Sequence, residues 1–402
     1  MNTRLLATLF VAFGLLFAAC NKDDEGNTTP DPVDESVVRV SSNITADATW
    51  TADKVYVLGG RISVVDGVTL TIEPGTIIKG EAGTGPNATA LLIARGAKLM
   101  AEGTASAPII FTTIADEIMP DDIKAGNFAS PNLDPDISGL WGGLIVLGKA
   151  TISASNDNNE DISEVQIEGI PTSDANGLYG GNDDADNSGV LTYISIRHGG
   201  SNIGEGNEIN GLTLGGVGTG TVIENIEVVA NQDDGIEWFG GTVNVKNVVV
   251  WNAGDDAIDT DQSWAGTLDN FVVVTPAGSC FELDGPEGTY VARHTIQNGT
   301  VVAVTDSRSI GGSLIDVDAA TPVDMKNIHF VAPLDGLSIT EDEVENTTFE
   351  NITFAVDEAD LPSLMEQEGA VPAGVSAGGS PQADVSVLSW TWASKAGGLS
   401  GL

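Results

Sequence analysis

The chain has few positive charges, few aromatic side chains and two cysteines. Its 402 residues include 16 Lys and Arg against 58 Asp and Glu, which gives a formal net charge of −42 at pH 7. A chain this negative repels the phosphates of DNA and RNA, so the composition excludes nucleic-acid binding as a class of function. It also repels polyanionic glycans unless a cation lies between the two.

Aromatic residues make up only 5% of the chain, whereas glycine contributes 49 residues. This composition suits short strands and tight turns better than a compact α/β enzyme. The helical period of 3.6 residues is nearly absent, and only residues 361–367 hint at a short helix. The three histidines, His198, His294 and His329, lack the spacing of a zinc site, and no Gly-x-Ser-x-Gly nucleophile motif occurs.

The one long apolar run, Leu5–Ala19, lies near the start of the chain. It follows a single basic residue, Arg4, and precedes Cys20. The run is too short to cross a bilayer, and its layout is typical of a secretory signal peptide. We therefore expect residues 1–19 to be a signal peptide.

Residues 16–20 resemble the bacterial lipobox, in which the cysteine is lipidated, and residues 21–25 resemble the export signal of Bacteroidetes surface lipoproteins. We expect Cys20 to carry the lipid and residues 20–40 to form a flexible acidic tether. This predicts a protein anchored in the bacterial outer membrane through its lipid, facing the cell exterior. The second cysteine, Cys280, lies in an apolar run and is expected to be a buried, inert thiol.

Six asparagines, each heading a short apolar run, recur in the second half of the chain. Their successive spacings are 22, 23, 28, 29 and 24 residues, and they are Asn225, Asn247, Asn270, Asn298, Asn327 and Asn351. A period in the low twenties with β-branched runs is typical of a solenoid that repeats once per coil. We predict an all-β parallel β-helix of roughly a dozen coils, with strands stacked about 4.8 Å apart and the asparagines in a ladder.

The solenoid is predicted to extend over residues 41–360. Two long polar insertions, residues 116–138 and 153–188, interrupt its rhythm. Such insertions leave a solenoid on one face, where they either line a binding surface or cover a coil edge. Residues 361–402 lose the repeat, and we expect them to cap the last coil through residues 389–392.

Several motifs are similar to those of a family of Bacteroidetes surface lipoproteins with no established activity. They are Trp141-Gly142-Gly143, Asp186-Asn187-Ser188-Gly189, Asn207-Glu208-Ile209-Asn210-Gly211, residues 233–243 (DDGIEWFGGTV) and Gly254-Asp255-Asp256. The resemblance covers residues 45–360 and implies a right-handed parallel β-helix at the cell surface. One departure is Ser263, which stands where relatives carry glycine before the tryptophan.

Acidic residues recur in phase with the coils. In a β-helix, equivalent positions stack, so the pattern predicts two columns of carboxylates two residues apart on one face. The first comprises Glu237, Asp259, Glu282 and Asp316, and the second comprises Asp261, Asp284 and Asp318. Like charges at strand spacing destabilise each other unless water screens them, their pKa values rise, or cations lie between them.

Clustered carboxylate oxygens are the ligands that Ca²⁺ prefers, so we predict a calcium site among these acids. The candidate ligands are Asp184, Asp186, Asp233, Asp234, Glu237, Asp255, Asp256, Asp259, Asp261, Glu282 and Asp284. Residues 184–189 match the start of a D-x-D-x-S-G calcium loop, but its twelfth position is Ser195 instead of an acid.

Two other interpretations involve sugars directly. Asp233, Asp234, Asp255 and Asp256 resemble the paired acids of polysaccharide hydrolases that share this fold, but the Gly-His-Gly turn and Arg-x-Lys segment of those enzymes are missing. A lyase would need a base beside calcium, and nothing ties Arg197, Arg293 or Arg308 to the acidic pattern. Trp238, Trp251 and Trp264 would stack on sugar rings if exposed, or pack at corners if buried.

The sequence thus favours a non-catalytic binding or adhesion platform for a glycan or a surface protein, stabilised by calcium. A carbohydrate-active enzyme and an accessory subunit of an outer-membrane uptake or secretion complex remain as alternatives. Fold analogy alone does not decide between them.

Overall fold

The computed structural model describes residues 36–203, 208–318, 320–334, 336–339, 346–365 and 371–402. The predicted signal peptide, Cys20 and residues 20–35 of the predicted tether lie outside the described residues. Within these ranges the chain is dominated by short strands. Two α-helices are present, α1 (Pro120–Ala125) and α2 (Trp392–Lys395).

The strands, numbered in chain order, are short in the first half and reach nine residues in the second. Up to residue 180 they are β1 (Val37–Val40), β2 (Ala48–Trp50), β3 (Val55–Leu58), β4 (Arg61–Val64), β5 (Thr69–Ile72), β6 (Ile77–Gly80), β7 (Ala90–Ile93), β8 (Lys98–Glu102), β9 (Ile109–Thr113), β10 (Leu144–Leu147), β11 (Ala154–Ser155), β12 (Asp161–Ile162), β13 (Val165–Gln166) and β14 (Leu178–Tyr179). Beyond it they are β15 (Gly189–Arg197), β16 (Leu212–Gly215), β17 (Val222–Val229), β18 (Ile236–Phe239), β19 (Val245–Trp251), β20 (Ile258–Asp261), β21 (Thr267–Val274), β22 (Phe281–Leu283), β23 (His294–Val302), β24 (Asp316–Val317), β25 (Val323–Val331), β26 (Thr347–Phe354) and β27 (Val375–Ala377).

Two long sheets run along the solenoid, and every strand pair within them is parallel. The larger sheet follows the order β1-β3-β6-β9-β15-β17-β19-β21-β23-β25-β26-β27, with β2, β5 and β8 on a side branch. The smaller sheet has eight strands in the order β24-β22-β20-β18-β16-β10-β7-β4. The predicted parallel β-helix is confirmed, and the twelve strands along the first path match the expected coil number.

The asparagine ladder is confirmed and marks a bend within each long strand. All six asparagines have positive φ angles between 52° and 60°. Asn247 donates its amide to Asn225 (3.1 Å), and Asn270 donates to Asn247 (2.8 Å). The chain of amides is broken once, because Asn298 donates to Asp269 (2.7 Å) instead. The equivalent residue of β15 is Tyr193, which also has a positive φ of 51°.

The interior is lined by aliphatic and phenylalanine side chains that stack from coil to coil. Ile226, Val248 and Phe271 lie in register on successive strands and are fully buried. The next coil carries Gly299 opposite Phe271, where an added Cβ would lie 2.0 Å from the phenylalanine ring. Glycine therefore makes room for the ring in this stack.

Of the two roles considered for Trp238, Trp251 and Trp264, the structure supports packing instead of a platform for sugar rings. Trp238 and Trp264 are fully buried, and their rings stack with centroids 4.7 Å apart. Trp251 lies on the outside of the larger sheet, where Trp392 meets it edge-on at 5.9 Å. Two side chains inside the solenoid and one covered by the C-terminal segment cannot present a row of rings to a sugar, so they serve packing.

The first insertion, residues 116–138, covers a flank of the solenoid. It contains α1, and its buried Ile118, Ile123 and Phe128 pack against the outward side chains of β3, β6 and β9. This is the covering role that the sequence left open as one of two possibilities.

The second insertion, residues 153–188, both covers a flank and reaches the acidic residues. Its Ile167, Ile170 and Tyr179 pack on the outward side of the smaller sheet. It also forms two small antiparallel hairpins, β11 with β12 and β13 with β14. Glu168 extends from it into the pocket described below.

The C-terminal segment does not cap the last coil as expected. β27 continues the solenoid beyond residue 360 by pairing with β26, and residues 378–402 then run back along the outside of the larger sheet. Leu388, Ala393 and Leu399 pack there against the valines of β19 and β21. The apolar residues of this outer face explain the course of the segment, because their burial removes apolar surface from water.

Two smaller features complete the fold. Cys280 is buried as predicted, and its burial raises the pKa of the thiol. In the described part of the chain, none of the helices has the length and apolar character that crossing a membrane requires.

Candidate functional site

The predicted acidic columns form on the smaller sheet. Backbone register places Glu237 opposite Asp259, Asp259 opposite Glu282, and Glu282 opposite Asp316. The second column lies two residues further along the strands. The pairing of β20 with β22, continued by one residue, places Asp284 opposite Asp261. The repeat period therefore brings acids from distant parts of the chain into contact.

The central carboxylates are buried, which the sequence did not reveal. Asp234, Glu237 and Asp259 are exposed by 7%, 5% and 7%, respectively. Screening by bulk water, one of the three ways of tolerating stacked acids, is therefore excluded at these positions.

Backbone and amide donors satisfy only part of this acidic cluster. The Asp256 N–H donates to Asp234 Oδ1 at 2.9 Å, and the Ser279 N–H donates to Asp256 Oδ1. Asn210 Nδ2 donates to Glu237 Oε2. Asp259 Oδ1, by contrast, is buried without a hydrogen-bond partner in the described parts of the chain.

Burial is the main cause of the raised pKa values of the carboxyl groups in this cluster. It raises the pKa of Asp233 and of Asp261 to about 7 and that of Glu282 to about 9. Burial also raises the pKa values of Asp234, Glu237 and Asp259 well above their usual range. Neighbouring carboxylates add to each shift, since they repel the charged form.

Two sets of three carboxylates are close enough to hold a metal ion. The outer group is Asp233, Asp234 and Asp255, and the inner group is Asp234, Glu237 and Asp259. In each group, one oxygen from every residue lies within 4.8 Å of the others. Asp234 belongs to both groups, so the two are adjacent.

The outer group faces a cavity of about 230 Å³. We call this the acidic pocket, and it is lined by Glu168, Glu208, Asp233, Asp234, Glu237, Asp255, Asp256 and Glu282. All eight lining residues are acidic, and neither Lys nor Arg is among the described residues that line it. Carboxylate oxygens around an open space are the donor set that suits Ca²⁺.

Three polar residues of this site were not predicted. Glu168 comes from the second insertion, Glu208 precedes β16, and Asn210 contacts Glu237. The only sequence signals were the position of Glu168 in a long insertion and the motif that contains Glu208 and Asn210. Neither signal specifies proximity to the acidic columns.

The other predicted metal ligands lie outside both carboxylate groups. Asp184 Oδ1 accepts a hydrogen bond from the Thr151 N–H at 3.0 Å, and Asp186 Oδ2 accepts one from Ser188 Oγ at 3.0 Å. The structure thus uses both acids to hold turns. Asp256, Asp261, Glu282 and Asp284 remain beside the inner and outer groups, but none of them belongs to either.

The three arginines considered as lyase bases each have an acid partner away from the pocket. Arg197 is buried beside Glu227 at 3.7 Å, Arg293 pairs with Asp324 at 2.9 Å, and Arg308 pairs with Asp136 at 3.4 Å. None of these six residues lines the acidic pocket. Among the residues that the structure describes, the pocket lining therefore presents acids without a basic partner.

Comparison with known proteins identifies a domain family. The model of the pectate-lyase-like beta helix domain matches residues 42–126 and 128–377. No curated protein and no solved structure matches the chain. Because the family model spans most of the chain, from the first coils to β27, the chain belongs to the family of pectate-lyase-like beta helix domains.

Proposed function

We propose that the protein is a non-catalytic, calcium-dependent carbohydrate-binding platform, with the outer carboxylate group as its metal centre. Membership of the family is compatible with a carbohydrate-binding or a carbohydrate-active role. The observation that carries the proposal is a pocket whose described lining consists of acids alone, in which one oxygen from each of three carboxylates lies within 4.8 Å of the others.

A calcium ion bound by Asp233, Asp234 and Asp255 would keep ligand positions free on its pocket side. Ca²⁺ takes six to eight oxygen ligands, more than these carboxylates fill, and sugar hydroxyl or carboxylate oxygens are suitable additional ligands. The ion would also offset the repulsion between the strongly negative protein and a glycan that carries acids of its own, because it would lie between the two.

The acidic pocket suits binding better than glycoside hydrolysis. The closest oxygens of Asp233, Asp234 and Asp255 lie within 4.8 Å of one another, so all three can contact a single cation. The polysaccharide hydrolases considered above also carry a Gly-His-Gly turn and an Arg-x-Lys segment, which this sequence lacks. The lyase considered above would use an arginine as its base beside calcium, and no arginine is among the described residues that line the pocket.

Glycan binding with and without calcium tests this proposal. The purified chain is applied to a panel of neutral and acidic polysaccharides in calcium or in EDTA. We expect binding that disappears in EDTA and returns with calcium, and that is lost in the double variant Asp233→Asn/Asp255→Asn. Asp318→Asn, an acid of the second column outside the pocket, is the matched control and should bind normally.

The same panel separates the alternatives. Mass spectrometry of the incubated polysaccharides should show chains of unchanged length; shortened or unsaturated products would instead establish a carbohydrate-active enzyme. Binding that is equally strong in EDTA would refute the calcium-dependent site. Absence of glycan binding together with capture of an outer-membrane complex would favour the accessory-subunit alternative.

We also propose that this platform is held at the outer surface of a bacterial outer membrane by a lipid on Cys20. The support is the lipobox-like sequence of residues 16–20 and the acidic residues that follow it. Protease treatment of intact cells should remove the protein, and Cys20→Ser should release it from the membrane fraction. Protection from protease in intact cells would contradict an outward orientation.

A further inference from the structure

We infer that the inner carboxylate group, Asp234, Glu237 and Asp259, binds a second divalent cation that is distinct from the ion facing the carbohydrate. This site would be structural, because its three carboxylates come from neighbouring coils and are more than nine-tenths buried. The inference does not depend on carbohydrate binding.

The inner group is a buried ligand set at the base of the acidic pocket, which Asp234 and Glu237 also line. One oxygen from each of its three carboxylates lies within 4.8 Å of the others. All three side chains are more than nine-tenths buried, and they come from two neighbouring coils, those of β18 and β20. Buried carboxylates at this separation repel one another unless protons or a cation neutralise them.

Asn210 supplies a second and independent observation. It precedes β16 on the coil before β18, is exposed by only 1%, and its Nδ2 donates to Glu237 Oε2. Its Oδ1 is buried and has no hydrogen-bond partner among the residues that the structure describes. A buried amide oxygen without a donor is rare in folded proteins, and neutral amide oxygens are common calcium ligands.

Asp259 provides another buried oxygen without a hydrogen-bond donor in the described ranges. Asp259 Oδ1 and Asn210 Oδ1 are both buried polar oxygens without a donor in the described ranges, and both side chains belong to or contact the inner group. Such oxygens normally accept a hydrogen bond, and a bound cation would take the place of the missing donor. One ion at this position would connect the coils of β16, β18 and β20.

The two ions would differ in accessibility. Asp234 is shared between the groups, and Asp255 of the outer group is exposed. The outer ion should therefore exchange faster with solvent than the inner ion, whose three ligands are all more than nine-tenths buried.

Metal stoichiometry tests this inference. The purified chain is equilibrated with calcium, dialysed, and analysed for calcium per polypeptide. We expect two ions in the native protein, one in Glu237→Gln and one in Asp233→Asn. The control Asp318→Asn should retain two. Brief exposure to EDTA should remove one ion from the native protein within seconds and the other much more slowly.

Glu237→Gln preserves the shape of the side chain, and Asp259→Asn provides a second variant in the same group in case the first fails to fold. A native stoichiometry of one or zero would overturn the inference, as would two ions remaining in both inner-group variants. If Asp233→Asn and Glu237→Gln each removed all bound calcium, a single shared site would replace the two proposed here.

The stoichiometry also separates this inference from the proposed function. Two bound ions without any glycan binding would contradict the carbohydrate proposal alone. One bound ion with calcium-dependent glycan binding would contradict the second site alone.

Discussion

At the scale of single residues, asparagine provides the backbone conformation at which each long strand of the second half bends. A positive φ near 60° is unfavourable for most L-residues, and asparagine is one of the few that tolerate it. The six ladder asparagines adopt this conformation, and each also takes part in a hydrogen bond with an asparagine of a neighbouring coil. The ladder was predictable because the positive φ and the side-chain hydrogen bond both favour asparagine, which therefore recurs at a regular spacing. Tyr193 adopts the same conformation without that signal, so the coil of β15 was not recognised as part of the ladder.

Substitution of Asn247 separates these two properties. Asn247→Gly keeps the backbone conformation accessible but loses the amide bonds to Asn225 and Asn270, whereas Asn247→Ala adds backbone strain. We expect Asn247→Gly to cost about 1–2 kcal/mol of unfolding free energy and Asn247→Ala to cost about 1 kcal/mol more. Urea denaturation of both variants measures the difference. Equal costs would show that the positive φ carries no penalty here, and no cost in either would make the ladder dispensable.

At the scale of elements, the repeat period predicted the coils of the second half correctly. The predicted position of the C-terminal segment, over the last coil, was wrong. Its position depends on contacts between residues far apart in sequence: the Asp384 N–H donates to Asn270, and the Ala393 N–H donates to Glu227. Local patterns carry no information about such pairs. In the first half, Gly67, Gly75 and Gly96 provide the positive φ angles, so these coils have no asparagine signal.

Trp392 should be the main anchor of this segment. Its ring packs edge-on against Trp251 and His198, and the Arg197 guanidinium lies 4.9 Å from its centroid. We expect Trp392→Ala to cost about 3 kcal/mol, because it opens a cavity over a buried charge. Val387→Ala in the same segment is the control, since Val387 is 39% exposed and should change stability by less than about 0.5 kcal/mol.

Denaturation midpoints and limited proteolysis of the segment measure this effect. Trp392→Ala should release residues 378–402 to protease under native conditions, whereas Val387→Ala should not. Equal stability and equal protection in the two variants would show that the tryptophan does not anchor the segment.

At the scale of the whole molecule, the acidic pocket combines acids that stack at the repeat period with Glu168 from the second insertion. The column of Glu237, Asp259, Glu282 and Asp316 followed from the period alone. The burial of Glu237 and Asp259 did not, and neither did the contribution of Glu168, from the second insertion, to the pocket lining. The sequence therefore predicted which acids stack but left open whether water reaches them.

Burial of these acids makes the stability of the metal-free protein depend on pH. Burial raises the pKa of Asp233 from 3.8 to about 7 and that of Glu282 from 4.5 to about 9. The folded chain then holds protons that the unfolded chain releases, so this stabilisation is complete below about pH 4 and is lost as the pH rises towards these folded-state pKa values. In EDTA we expect the melting temperature to fall between pH 5 and pH 9.

Calcium should reduce that fall, because the ion binds the deprotonated carboxylates and replaces the protons. Glu282→Gln should flatten the part of the profile above pH 7, since it removes the group with the pKa near 9. Melting curves in EDTA across this range measure the slope. A melting temperature that rises from pH 5 to pH 9 in EDTA would show that these acids are not protonated in the folded chain.

The most direct test of the acidic pocket as a metal centre is the melting temperature of the metal-free chain at pH 7 during a calcium titration. Because calcium binds the folded state, we expect a saturable rise of several degrees, with little rise in Asp233→Asn/Asp255→Asn/Glu237→Gln and a normal rise in Asp318→Asn. A melting temperature that stays constant up to millimolar calcium would mean that protons alone neutralise the buried carboxylates, and that the calcium-dependent platform does not exist.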